Sequence, residues 1–176
     1  MASKYPHDHL QERVEKELCF DLKDEQFLAV KELMQGNDVL AVFPTGFGKS
    51  RIYQAFTSLK NMDTNQSTLV LVISPLDSLI KDQLIDLKNL GFVAKKLADL
   101  STEQLSECDF NILLSSAEEA ARDDFQRELK ESSSKTHERL SCVVVDECHT
   151  VETWTGNRSV VFSTIGHDVH SVLSNI

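Results

Sequence analysis

Three consecutive residues, Gly48-Lys49-Ser50, carry the most concentrated chemistry in the chain. An apolar run, Val39 to Phe43, leads into Pro44-Thr45-Gly46-Phe47-Gly48, and a helical pattern starts at Lys49. In a strand-turn-helix of this kind, successive backbone N–H groups and the positive helix end can hold phosphate oxygens. Gly46 and Gly48 permit a close backbone approach that side chains would block. Lys49 would reach the β- and γ-phosphates of a nucleotide, and the Ser50 hydroxyl would ligate Mg²⁺. The general phosphate-loop pattern has a glycine where this chain has Phe43. From this segment alone, an ordinary turn with a fortuitous Gly-Lys-Ser stays open.

A second segment, "CVVVDECHT" (Cys142 to Thr150), pairs an apolar run with two acids. If the run is a strand, Asp146 and Glu147 stand at its C-terminal end, where open α/β sheets bind ligands. Asp146 can then hold Mg²⁺, and Glu147 can orient and deprotonate a water. The plainer alternative is an acidic strand end that solvates itself.

These groups need elements to hold them. Apolar runs of strand length lie at Val39–Phe43, Thr68–Ser74, Phe92–Lys96, Asn111–Leu114 and Cys142–Asp146. None alternates strictly, as expected for strands buried on both faces. Helical patterns occupy His9–Cys19, Lys23–Met34, Lys49–Lys60, Asp77–Leu90, Thr102–Glu107 and Ala117–Glu131, and "KESSSKTHE" reads as a solvent loop. In the first of these, Leu10, Val14 and Leu18 share one face; in the second, Phe27, Val30, Leu33 and Met34 do, with Gly36 as the stop. Strand and helix alternate, which predicts an α/β fold with a mainly parallel sheet flanked by helices on both faces.

Composition narrows the partners. The 176 residues suffice for one domain core, and 41% hydrophobic with 26% charged residues is ordinary for a folded domain. The net charge of −10 argues against non-specific binding of nucleic acid by the whole surface, leaving a local contact face. No apolar run approaches a membrane span, and the polar start lacks the apolar core of a secretory signal, so an intracellular protein is expected. Cys19, Cys108, Cys142 and Cys148 form no Cys-x-x-Cys pair and read as reduced thiols.

Taken together, "FPTGFGKS", "SPLDSLIKDQL" and "DECH" followed by "TVETW" resemble the superfamily 2 helicases, and within them the RecQ-like DNA helicases. Members of that group normally lack the first glycine, with Pro-Thr-Gly-x-Gly-Lys-Ser as here. The resemblance spans roughly Leu22 to Arg158 and implies the first RecA-like lobe of a P-loop NTPase. It implies domain limits of 1–21 for a helical leader, 22–158 for the ATP-binding lobe and 159–176 for a divergent tail.

By the same resemblance, "LKDEQF" supplies Lys23 and Gln26 to the adenine, although Leu22 replaces an aromatic residue. Thr45, Gly46, Phe47, Gly48, Lys49 and Ser50 bind the ATP phosphates, and Ser50 and Asp146 hold Mg²⁺. Glu147 and Lys49 are the catalytic pair. Ser74 and Pro75 contact the DNA backbone, and His149 and Trp154 couple DNA to the ATP site. Ser116 and Glu118 fit more loosely a second DNA segment, without its proline. Cys148 replaces the alanine of Asp-Glu-Ala-His, and Asn157-Arg158-Ser159 replaces a second aromatic after Trp154.

The implied function is ATP-dependent unwinding of single-stranded or forked DNA, 3′ to 5′, in the nucleus (alternatively the cytoplasm), with no membrane. Beyond Arg158 no second RecA-like lobe is expected, so unwinding would require one from elsewhere. The alternative is a non-catalytic nucleotide-binding fragment that docks on another protein.

Overall fold

The computed structural model describes residues 7–64 and 67–146. They belong to two compact units, Met1–Gln66 and Ser67–Ile176.

The N-terminal unit is helical. In α1 (His7–Leu18), Leu10, Val14 and Leu18 recur at i, i+4 and i+8 and are all buried. Helix α2 (Asp24–Met34) starts where the Gln26 side chain turns back to accept the Lys23 N–H at 2.9 Å. It buries Phe27, Ala29, Val30 and Met34, whereas Leu33 stays only partly covered. Gly36 ends it at φ +83°, a conformation that costs a glycine little. Helix α3 (Ser50–Thr64) buries Ile52, Tyr53, Ala55, Phe56 and Leu59, and both α1 and α2 pack on it.

The expected strand at Val39–Phe43 is not formed. The run is extended loop, with Leu40 and Val42 about 80% exposed (79% and 81%). A strand needs a neighbour for its N–H and C=O groups, and the described residues of this unit offer only helices.

The C-terminal unit is an α/β layer. Strands β1 (Leu69–Ile73), β2 (Ala94–Lys96), β3 (Ile112–Ser115) and β4 (Leu140–Val145) form a sheet in the order β2-β3-β1-β4. Every pairing is parallel, with Val70 opposite Ile112 and Ile73 opposite Val145. Strand β1 is buried along its whole length, as its unbroken apolar run requires.

Successive strand residues face opposite sides. Leu69, Leu71, Ile73 and Leu113 join a core with Leu97, Leu105, Phe110, Phe125 and Leu129. Val70, Val72, Ile112 and Leu114 point the other way and are equally buried. Helix α4 (Asp77–Asn89), bringing Ile80 and Leu87, packs against β2 and β3.

Two expectations change here. The helix expected over Ala117–Glu131 is two helices, α6 (Ala117–Ala120) and α7 (Asp123–Lys130), α5 being Thr102–Glu107. Arg122 breaks it: its backbone is extended, and its side chain pairs with Asp124. The Gln126 amide then caps the freed Ala120 carbonyl at 2.8 Å.

The "KESSSKTHE" stretch is not all solvent loop either. Lys135–Arg139 forms α8, Ser134 caps it, and the buried Thr136 hydroxyl donates to the Leu105 carbonyl at 2.6 Å. Satisfied hydroxyls let polar residues enter a core that composition alone would deny them. Cys19 is exposed, Cys108 and Cys142 are buried, and all three are free thiols. No helix among the described residues is long and apolar enough to cross a membrane.

Candidate functional site

In the N-terminal unit, the turn between residues 44 and 49 is shaped by its glycines. Gly46 and Gly48 have φ of +79° and +89°, the left-handed region that other residues enter only with strain. The Phe47 N–H donates to the Pro44 carbonyl at 3.2 Å. Arg51 and Ile52 close the first turn of α3 by donating to the Gly48 and Lys49 carbonyls, both at 3.1 Å. The amides from Gly46 to Ser50 precede that bonded ladder and are those a phosphate would meet at the positive helix end.

The side chain of Gln26 braces this turn. The Gln26 amide is fully buried; its Nε2 donates to the Phe47 carbonyl at 2.9 Å and to the Gly48 carbonyl at 3.0 Å. With Oε1 accepting from Lys23 N–H, both amide hydrogens and the oxygen are engaged. A Cβ on Gly48 would stand 3.0 Å from that Nε2, so the brace would have to shift in addition to the strain set by φ. To read an adenine edge, Gln26 would have to exchange at least one of these partners.

Around the brace lies an aromatic and cationic cluster that motif reading missed. The rings of Phe43 and Phe47 stack at 4.6 Å with planes 19° apart, and Lys23 Nζ lies 3.9 Å above the Phe47 ring. Arg51 sits 4.8 Å over Phe20. A cation on a ring face is held by the ring quadrupole. The signal in sequence was the pair of phenylalanines four apart on either side of Pro-Thr-Gly.

In the C-terminal unit, Asp146 follows β4 directly. Its N–H extends the ladder to the Ile73 carbonyl at 2.9 Å, and its Oδ2 accepts a hydrogen bond from Gln83 of α4 at 3.0 Å. Ser74, at the end of β1, is buried and donates its N–H to the Ser115 carbonyl at 2.9 Å; Pro75 follows it toward α4.

Beside these strand ends, Lys96 Nζ bridges Asp77 at 3.1 Å and Glu119 at 3.4 Å. The hydrogen bond to Asp77 holds its ammonium above the ordinary lysine range; partial desolvation opposes this, and Glu119 adds to it. Ser116 caps α6, accepting from the Glu119 N–H at 3.2 Å, while Glu119 accepts from the Ser116 N–H at 3.0 Å. That reciprocal cap occupies the serine of the looser DNA segment. Glu147, His149 and Trp154 lie outside the described residues.

Among the described residues, no group of three or more His, Cys, Asp or Glu is gathered to hold a metal ion. Magnesium does not require one: it keeps several waters and takes one or two protein oxygens plus substrate phosphates. Ser50 in the N-terminal unit and Asp146 in the C-terminal unit each offer a hard oxygen of the kind that fits Mg²⁺.

The parallel four-stranded sheet of the C-terminal unit, in the order β2-β3-β1-β4, is that of a RecA-like α/β fold. Residues 23–173 match the family described as DEAD/DEAH box helicase, and the chain belongs to it.

Its curated relatives carry RecQ-type names. The ATP-dependent helicase SGS1 of Saccharomyces cerevisiae is 32% identical over 136 residues, covering 73% of this chain and 9% of that protein. The ATP-dependent DNA helicase Q-like 2 of Arabidopsis thaliana is 31% identical, covering 71% of this chain and 18% of its own length. The ATP-dependent DNA helicase Q1 of Rattus norvegicus is 31% identical, with 73% and 21% covered. The chain therefore spans about a tenth to a fifth of the length of these relatives. Among solved structures, the DUF1998 helicase MrfA bound to DNA and AMPPNP shares the fold, with a TM-score of 0.60 at 19% identity, over 82% of this chain and 21% of that one.

Proposed function

We propose that residues 22–158 form the ATP-binding motor lobe of a RecQ-like DNA helicase, with 1–21 as a leader helix and 159–176 as a divergent tail. The observation that carries this reading is the turn at Gly46–Ser50, whose left-handed glycines lead the chain amides into the start of α3. In this reading Thr45 to Ser50 cradle the phosphates of ATP, and Lys49 neutralises charge that builds on them. Ser50 and Asp146 would hold Mg²⁺, which when bound would draw charge off the phosphates. Glu147 orients and deprotonates the attacking water.

Lys23 and Gln26 serve the adenine side. Gln26 reads the base by exchanging its carbonyl partners, so nucleotide binding and the shape of the turn are linked through one amide. Ser74 and Pro75, before α4, meet the phosphate backbone of DNA, which positions a duplex without reading its sequence. His149 and Trp154 relay the presence of a single strand, the indole by stacking on a base. The nucleus is the compartment that suits DNA as substrate. Arginines from a second lobe contribute on the order of 10³–10⁵ in rate, so a lobe of this kind turns over slowly by itself.

The test is calorimetric. ATP binding to the wild-type chain should be lost or weakened roughly tenfold to a hundredfold in Lys49→Ala, the worth of a charged hydrogen bond, with the unfolding midpoint unchanged. Equal affinity in the two proteins would refute the phosphate assignment. Supplying a second RecA-like lobe and single-stranded DNA should then stimulate hydrolysis. Nucleotide binding without any stimulation would favour a regulatory fragment that docks on another protein.

A further inference from the structure

The inward face of α4 carries one polar residue. Ile80 and Leu87 are fully buried, and Gln83 stands between them, three residues after one and four before the other. Its Nε2 donates to Asp146 Oδ2 across 63 residues of sequence at 3.0 Å. Its Oε1 is buried and has no hydrogen-bond partner among the described residues. The orientation of the amide follows from chemistry: an ionised carboxylate only accepts, so the NH₂ end must face Asp146 and the oxygen must face away. Asp146 is thus gripped twice, through its N–H by the Ile73 carbonyl and through its carboxylate by α4.

A buried amide oxygen with no donor is costly to keep in a folded protein. A water carried by a cation on Asp146 is a donor of the right kind. We propose that Gln83 is a positioning residue for the magnesium carboxylate: its N–H fixes the rotamer of Asp146, and its open oxygen would take a donor that enters with the ion. This rests on the reading of Asp146 as a magnesium ligand. It also explains why a glutamine interrupts an otherwise apolar stripe, since leucine there could not hydrogen-bond the carboxylate.

The experiment measures ADP affinity of the full 176-residue chain with Mg²⁺ and with EDTA, in wild type and Gln83→Leu. The gain in affinity given by Mg²⁺ should fall about tenfold in the variant, the lower end of the cost of losing an outer-shell partner, while affinity in EDTA stays the same. An unchanged gain overturns the proposal, and so does an equal fall in both conditions, which would mark a packing residue. If the wild-type chain binds ADP in EDTA yet gains nothing from Mg²⁺, the magnesium reading of Asp146 fails and this proposal fails with it. Should Gln83→Leu not fold, the Gln83 side-chain amide signal of the wild-type chain is followed by NMR. It should move when Mg²⁺ is added to the ADP-bound protein, and a stationary signal overturns the proposal.

Discussion

In the N-terminal unit the Gly46–Gly48 turn hangs on side chains, whereas in the C-terminal unit the backbone at Asp146 hangs on a strand ladder. Gln26 alone supplies both hydrogen bonds that tie the Phe47 and Gly48 carbonyls to α2. Asp146, by contrast, is the last rung of a sheet whose strands β1 and β3 are buried at every position. A ladder of amides has no alternative partner in a dry core, so it holds one geometry. A side-chain amide can trade its partners for those of a ligand. The difference teaches that the two segments are held to different tolerances: the backbone that carries Asp146 is fixed by its ladder, whereas the turn is held by a side-chain amide that can exchange partners.

Three substitutions test that contrast. The largest effect belongs to the sheet's packing. Phe125 is fully buried in the core beside β1 and β3, so Phe125→Ala should cost about 3–5 kcal/mol in urea unfolding. A cost below about 1 kcal/mol would mean the sheet is not the rigid partner in the comparison.

Next comes the brace. Gln26→Ala leaves the Lys23 N–H and two carbonyls without their partner, which should cost about 1–3 kcal/mol. Hydrogen exchange should quicken at the amides from Phe47 to Ile52 and not in β1. Uniform exchange rates in mutant and wild type would break the idea that one amide holds the turn.

The smallest effect is on the surface pair that splits α6 from α7. The hydrogen bond from Arg122 holds the Asp124 carboxyl below its ordinary range, against a weaker opposing desolvation. A depressed folded value gives stability that is present above the unfolded value, near pH 4, and is lost as pH falls through the folded one. Because about a third of each side chain is exposed to screening water (36% and 31%), Asp124→Asn should cost less than about 1 kcal/mol at pH 7. The difference from wild type should shrink as pH falls below the unfolded value and vanish once the folded carboxyl is protonated. A cost that persists there would point to the helix boundary itself rather than to charge.

Much of the architecture was legible in the order of residues. The α1 stripe of Leu10, Val14 and Leu18 reads directly as a helix face. The four short apolar runs between residues 68 and 146 read as parallel strands because each lacks the alternation of a half-exposed strand. Other features were not legible. Residues 39 to 43 have the composition of a strand, but composition does not say whether a neighbour is present to pair with, and Leu40 and Val42 are exposed. Arg122 looks helical until its bond to Asp124 is seen to compete with the helix. Thr136 looks like loop until the Leu105 carbonyl, 31 residues earlier, is found to take its hydroxyl hydrogen.

The same division runs through the candidate site. By itself the sequence determined that Gly46 and Gly48 permit a close backbone approach, that Lys49 and Ser50 follow them, and that Asp146 ends an apolar run. These are local consequences of backbone sterics and of apolar period, which a few neighbouring residues settle. Only the tertiary structure decided that Gln26 is committed to the Phe47 and Gly48 carbonyls and that Gln83 grips Asp146. Those contacts join residues 21 to 63 positions apart, and a hydrogen bond over such a separation exists only after the intervening chain has packed.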